Sequence, residues 1–200
     1  MAVIVVSSPP PLILASGSRY RAELLGRLRL PFSQSSPDVD ESARPGEDGA
    51  TLAQRLALAK AQAIAARMPD AWVIGSDQVA VCEDRLIGKP GNRAGAVEQL
   101  RWMSGRTVHF LTAVALLQQS SGSLYRELDS TLVRFRPLAP EEIERYVDAE
   151  PSFDCAGSAK IEGLGISLCE EVQSRDPTAL IGLPLIVTAQ LLRHAGLTLP

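Results

Sequence analysis

The chain has 200 residues, 46% of them apolar, with 23 acidic against 20 basic side chains and a formal charge of −3. That is enough for one sizeable core, and no internal repeat divides it, so residues 11–200 are expected to form a single domain behind a loose lead-in over residues 1–10. The near balance of charge gives no electrostatic basis for binding a nucleic-acid polymer or an anionic membrane, so an anionic ligand must meet a local cluster of cations.

In chain order, Leu12–Ala15 reads as a buried strand that enters the small polar turn Ser16-Gly17-Ser18. A helix follows to about Leu28, with Ser18 as its N-cap and Tyr20, Leu24, Leu25 and Leu28 on the inner face. A short strand over Phe32–Ser35 gives way to an acidic, turn-rich loop from Ser36 to Gly49. The alanine-rich stretch from Thr51 to about Met68 predicts a long helix. The run "WVIGSDQVAV", Trp72–Val81, is a buried strand pattern interrupted by Ser76-Asp77-Gln78. A tight turn at Glu83-Asp84 returns the chain through Leu86-Ile87 to Gly88-Lys89-Pro90.

Arg93–Met103 predicts a helix stopped at Gly105, and Thr107–Gln118 pairs with Tyr125–Phe135 as a hairpin. Pro140 opens a helix to about Asp148, a strand is expected near Gly165–Leu168, and a last helix runs from about Pro184 to His194. Interleaved strands and helices with a hairpin predict an α/β fold, a mixed twisted sheet flanked by helices.

Several polar groups stand where the pattern predicts burial. A strand-to-helix turn of small residues presents unpaired N–H groups at the positive end of a helix dipole, so Ser16 and Ser18 form a candidate phosphate site with Arg21 one turn further on. An ordinary N-cap with surface arginines accounts for the same stretch. Leu52, Leu56 and Lys60 are spaced four apart and share one helix face, so the Lys60 ammonium must either meet an anion or snorkel to water. Asp77 is costly to bury in so apolar a run unless it is paired, hydrogen-bonded or bound to a metal; a turn-forming Asp is the simpler alternative.

Lys89, in the return strand, is expected near Asp77, and Glu41 ends the acidic "DVDE". Lys160 and Glu162, two apart in "CAGSAKIEGLG", line one wall if that segment is extended, and a surface ion pair is the alternative. Four basic groups, Arg21, Lys60, Lys89 and Lys160, with the candidate metal ligands Glu41 and Asp77, describe a polyphosphate site. Magnesium is commonly shared there between carboxylates and phosphates. No motif supplies a nucleophile, and the chemistry best matched is metal-assisted attack of water on a phosphoanhydride.

Three widely spaced cysteines fit neither a disulfide framework nor a zinc site, and Val3–Val6 is too short for a signal-peptide core. The apolar stretch Leu180–Leu192 is too short to span a bilayer, so a soluble, cytoplasmic protein is expected.

The stretches "LILASGSRYRAELL", "DVDE", "LALAKAQAIA", "VIGSDQVAV", "GKP", "CAGSAKIEGLG" and "DPTALIGLPL" occur in an order that resembles the Maf family of nucleoside triphosphate pyrophosphatases, over nearly the whole chain. The resemblance implies a fold related to inosine triphosphate pyrophosphatases, with two lobes around a cleft. It also implies frequent homodimers, a divalent cation such as magnesium, manganese or cobalt, and hydrolysis of a nucleotide to a monophosphate and pyrophosphate. Asp77 is similar to the family's proton acceptor, and Ser16, Ser18, Arg21, Glu41, Lys60 and Lys89 resemble its phosphate- and metal-handling residues.

The family often has Ser-Pro-Arg-Arg or Ser-Pro-Trp-Arg after the first strand, where Arg19 and Tyr20 stand here before Arg21. Gln78 and Glu162 resemble the branch acting on 7-methyl-GTP; the branch acting on dTTP and UTP typically has threonine and glutamine at those places. A carboxylate suits guanine's N–H edge and an aromatic face suits a base made cationic by methylation, although Tyr20 replaces the tryptophan expected of that branch. Asp77 and Gln78 point to opposite faces of an ideal strand, so one pocket for both requires the strand to end or bend near Ser76. The alternatives are a pyrophosphatase for dTTP, UTP or another nucleotide, and a nucleotide-sensing regulator without turnover. Retention of Asp77 beside the basic cluster favours turnover.

Overall fold

A computed structural model describes residues 10–199; the lead-in expected over residues 1–10 lies, Pro10 apart, outside the described residues. The chain runs β1 (Leu12–Ala15), α1 (Arg19–Gly26), β2 (Ser33–Ser35), α2 (Gly49–Ala65), β3 (Trp72–Cys82), β4 (Arg85–Ile87), α3 (Arg93–Met103), β5 (Thr107–Gln118), β6 (Ser123–Phe135), α4 (Pro140–Ala149), β7 (Cys169–Gln173) and α5 (Leu185–His194). The sheet order is β2-β1-β3-β5-β6-β7, with β4 paired to β3 beside the main path. β1 is parallel to β2 and β3, and every other pair is antiparallel, so the sheet is mixed as the sequence predicts.

Local chemistry sets the element ends. Ser18 caps α1 by accepting from Arg21 N, Asp48 caps α2 from Thr51 N at 2.7 Å, and Asn92 caps α3 from Gly95 N at 2.9 Å. The β3–β4 turn puts Glu83 and Asp84 at φ 46° and 63°, two successive left-handed residues that match the twist of a two-residue hairpin.

Alternation along the strands sorts three cores. Ile13, Ala15, Val73, Val79, Ala113 and Ala115 face α2, where they meet Leu52, Leu56, Ala57, Ala61 and Ile64. Leu12, Leu14, Trp72, Ile74, Val114 and Leu116 face α1 and α5 on the other side. Each large side chain buried in this way contributes about 1.5–3 kcal/mol. The far halves of β3, β5 and β6 carry a third core, with Ala80, Val108, Phe110, Val133 and Phe135 packed against α3 and α4. The two lobes are thus opposite ends of the same long strands, with the cleft at their junction.

The strand expected near Gly165–Leu168 is a 3-10 helix, Leu164–Leu168, and the strand follows it at Cys169–Gln173. Gly165 turns the chain tightly, its N–H donating to Lys160 O at 2.9 Å. β7 itself is a polar edge strand held partly by Arg134, which pairs with Glu170 and Glu171, so it carries no apolar signature. No helix among the described residues is long and apolar enough to cross a membrane.

Gly75 sets the distance between sheet and helix. A Cβ there would lie 2.1 Å from Ala57 O and 2.7 Å from Ala61 N, so α2 packs directly on the backbone of β3. Gly75→Ala is expected to cost at least about 3 kcal/mol by overpacking. A urea midpoint equal to that of the wild type would contradict this close approach.

Candidate active site

The cleft opens where the sheet loses a strand. On one side β3 pairs continuously with β5 from Val73 to Val81. On the other side β1 ends with Ala15 opposite Gly75, and β4 begins only with Ile87 opposite Ala80. Residues 76–79 therefore have an open edge. The expected end or bend of the strand near Ser76 is not what occurs: the strand continues and its neighbour is missing. Asp77 and Gln78 lie on opposite faces of the sheet, yet both reach one cavity of about 330 Å³ at this gap.

Asp77 shares the α2 face with Gly75 and Val79. Its Oδ1 accepts from Lys60 Nζ at 2.6 Å, and the same ammonium pairs with Glu41 Oε1 at 2.6 Å. Lys60 is 5% exposed and Asp77 7%, so the ammonium meets anions and does not snorkel. Glu41 is the exposed member of the trio. Partial burial pushes its carboxyl upward, but the hydrogen bond and charge of Lys60, with Lys89 and Arg21 further off, more than offset this and hold it below its ordinary value. The loop carrying Glu41 is tied to α2 by Arg55, which pairs with Glu47 at 2.6 Å and donates to Ser42 O at 2.9 Å.

Arg21 approaches from α1. Its Nε donates to Gly182 O at 2.8 Å and its Nη1 to Ser16 Oγ at 3.5 Å, and it forms no ion pair among the described residues. Burial pulls the guanidinium's pKa down, against the opposing charges of Asp77 and Glu41. Such an arginine, oriented by neutral acceptors, has the charge and the remaining donors to receive an external anion. Lys89 completes the cationic lining from the segment after β4 and forms no ion pair among the described residues.

Ser18, Tyr20, Arg21, Glu41, Lys60, Asp77, Gln78, Lys89 and Glu162 all line the cavity, whereas Ser16 and Lys160 do not. Ser16 is buried behind the turn, its Oγ accepting from Ser18 N at 3.1 Å, and Gln34 Nε2 on β2 donates to Ser16 O at 2.7 Å. The extended geometry expected for Lys160 and Glu162 is not present. The chain turns over residues 161–163, leaving Glu162 on the cavity and the Lys160 ammonium 5.5 Å from the centre of the Tyr20 ring. The Arg19 guanidinium lies 4.8 Å from the same centre, so the ring already attracts two cations.

Gln78 faces the loop that precedes α5. Its Nε2 donates at 3.0 Å to both Ala179 O and Leu180 O, and at 2.9 Å to Thr112 Oγ1. Sequence reasoning missed Ser76 and Thr112, whose hydroxyls donate to Gly182 O and Ala179 O, both at 3.0 Å. Hydroxyls in a buried strand give a weak signal for a roof of carbonyls brought from 106 and 67 residues away. The Cys155 thiol also lines the cavity, but burial, reinforced by Asp154, pushes it up to about 12, so it is protonated and a poor nucleophile.

Glu41 and Asp77 offer hard oxygen donors and each spends one oxygen on Lys60. Among the described residues no cluster of three or more His, Cys, Asp or Glu side chains forms a metal cage. The donor set therefore suits a divalent ion that completes its shell with phosphate oxygens and water, as magnesium commonly does.

The Glu41–Lys60 pair gives an expected pH dependence. Because the folded carboxyl is depressed below its ordinary value of 4.5, its contribution to stability is fully present above that pH and is lost as pH falls through the folded value. The stability gap between wild type and Glu41→Gln should therefore close on acidification below about pH 4.5 in denaturation curves, and a gap constant from pH 6 to pH 3 would contradict it.

The family profile described as Maf-like protein matches residues 11–195. The chain is 58% identical over 191 residues to a protein of Xanthomonas campestris named 7-methyl-GTP pyrophosphatase, covering 96% of this chain and 99% of that one. Proteins of the same name from Albidiferax ferrireducens and Aromatoleum aromaticum are 53% and 52% identical, over 93% and 94% of this chain. Among solved structures, a HAM1 protein from Coxiella burnetii is similar with a TM-score of 0.46 and 16% identity, covering 63% of this chain and 73% of that one. With its profile matched from the first strand to the end of the last helix, this chain belongs to the Maf-like proteins.

Proposed function

We propose that this protein hydrolyses a nucleoside triphosphate to the monophosphate and pyrophosphate, with 7-methyl-GTP as its substrate. The observation that carries the reading is the convergence of Arg21, Lys60 and Lys89 with the buried Asp77 on one cavity, whose size falls in the range of small-ligand sites. The name shared by relatives at 52–58% identity supports the same substrate.

Arg21 spends its Nε on Gly182 O and one Nη1 hydrogen on a long contact with Ser16 Oγ, and offers its remaining Nη donors to phosphate oxygens. Lys60 and Lys89 place positive charge beside the departing group. Asp77 spends one oxygen on Lys60 and has the other to take a proton from an attacking water. The water oxygen bonds to the α-phosphorus, the bond from that phosphorus to the α–β bridging oxygen breaks, and its electron pair leaves with pyrophosphate. A divalent ion held by Glu41, Asp77 and the phosphates would supply Lewis-acid neutralisation of the phosphate charge. On the lining of the same cavity, Glu162 accepts N–H bonds from guanine's edge. The methylated ring, itself cationic, takes a place on Tyr20 that Lys160 or Arg19 otherwise holds.

Release of pyrophosphate from a panel of nucleoside triphosphates, with magnesium, manganese or cobalt, tests the reaction. Asp77→Asn should lower turnover by about 10²–10⁴-fold while the amide oxygen still accepts from Lys60 and preserves the fold. Near-normal turnover by that variant, or wild-type activity unchanged in excess EDTA, would sink the mechanism. For the base, Glu162→Gln places a donor against a donor edge and should cost about 1–3 kcal/mol on both GTP and 7-methyl-GTP. Tyr20→Ala should narrow the gap between the two by about 0.5–2 kcal/mol, because only the charged ring gains the full cation–π attraction. A wild type that prefers dTTP or UTP overturns the choice of base and leaves the pyrophosphatase reading standing.

A further inference from the structure

The segment from Asp176, after β7, to Leu185 and Ile186 at the start of α5 forms a loop that closes on itself. Asp176 is 1% exposed and forms no ion pair among the described residues. Among the described residues, the donors to its carboxyl oxygens all come from the loop's own ends. Oδ1 accepts from Thr178 N at 3.0 Å and Thr178 Oγ1 at 2.6 Å, and Oδ2 accepts from Ile186 N at 2.6 Å. Thr178 Oγ1 in turn accepts from Leu185 N at 2.8 Å. Leu185 and Ile186 are the first residues of α5, whose N-cap Pro184 offers no side-chain acceptor. The carboxylate therefore satisfies orphan amides at the positive end of the helix from ten residues upstream.

With its base clasped, the loop turns its carbonyls inward. Gly182, at φ +123°, is the residue whose oxygen receives both Arg21 Nε at 2.8 Å and Ser76 Oγ at 3.0 Å. Arg21 has no carboxylate partner among the described residues to orient it, so the plane of its guanidinium depends on that one carbonyl and on Ser16. We infer that Asp176 is a positioning residue for phosphate binding: through Thr178 and the start of α5 it fixes the Gly182 carbonyl, and through that carbonyl it aims Arg21 into the cavity. The inference rests on the reading of Arg21 as a phosphate ligand. It adds to that reading a residue that touches neither substrate nor cavity.

Calorimetric binding of inorganic tripolyphosphate to the full chain tests it without requiring turnover. Thr178→Val deletes the hydroxyl that links Asp176 to Leu185, and should weaken binding about tenfold, the size expected for one charge-assisted hydrogen bond. Thr178→Ser should restore the wild-type affinity. Asp176→Asn should weaken it at least as much, and if that variant fails to fold, Thr178→Val carries the test. In an Arg21→Ala background, Thr178→Val should cost nothing further, because the group it positions is gone. With 7-methyl-GTP, KM should rise while kcat changes less than about twofold. Unchanged affinity in Thr178→Val with a lowered melting temperature would overturn the proposal, as would losses that add to that of Arg21→Ala or a wild type that binds no tripolyphosphate. A wild type that binds tripolyphosphate but releases no pyrophosphate fails only the proposed reaction, and the cycle with Arg21 still decides the role of Asp176.

Discussion

The site depends on one buried charge pair, Lys60 with Asp77. Placing either ion alone in the interior costs several kcal/mol even after relaxation, and their attraction offsets this only with short, well-directed contact. Contact at 2.6 Å is possible because Gly75, two residues before Asp77 on the same face of β3, lets Ala57 and Ala61 of α2 come against the strand backbone. Glu41 then meets the ammonium from the solvent side and leaves the trio with an excess of negative charge. Arg21 and Lys89 line the same cavity, which therefore carries both signs of charge.

Strand length makes the cleft. β1 has four residues and β3 eleven, so β3 outruns its parallel neighbour and is unpaired on that edge until β4 joins it. A continuous sheet would separate α2 from the loop before α5; the gap lets groups from both faces meet. Asp77 and Lys60 come from one side, and Gln78 with the carbonyls of Ala179 and Leu180 from the other.

Much of this was legible in the sequence, and the failures share a cause. Lys60 stood on an apolar helical stripe and Asp77 in an apolar strand, so burial against burial predicted that they would need partners. Caps at Ser18, the hairpin at Glu83-Asp84 and the stop at Gly105 follow from local preferences that depend on neighbouring residues alone. β7 escapes a sequence reading because an edge strand with Glu170, Glu171 and Gln173 exposed looks like a loop, while "LGISL" looks like a strand and is a 3-10 helix that leaves Leu164 and Ile166 exposed. A common wall for Lys160 and Glu162 requires extended backbone, which the turn at residues 161–163 removes. The route by which Asp77 and Gln78 share a cavity depends on which strand is absent beside them, a property of the whole sheet.

The roof of the cavity also bears on how the protein is made. Arg21 and Gly182 are separated by 161 residues, Ser76 and Gly182 by 106, and Gln78 and Ala179 by 101. Loop-closure entropy must be overcome before such contacts add stability, so they belong to the late, slow part of folding. On the ribosome the strands and helices carrying Lys60, Asp77 and Lys89 emerge long before the loop that orients Arg21. A nascent chain therefore passes through a stage in which the charged floor of the site exists without its roof, and competence to bind arrives only when the last helix has docked.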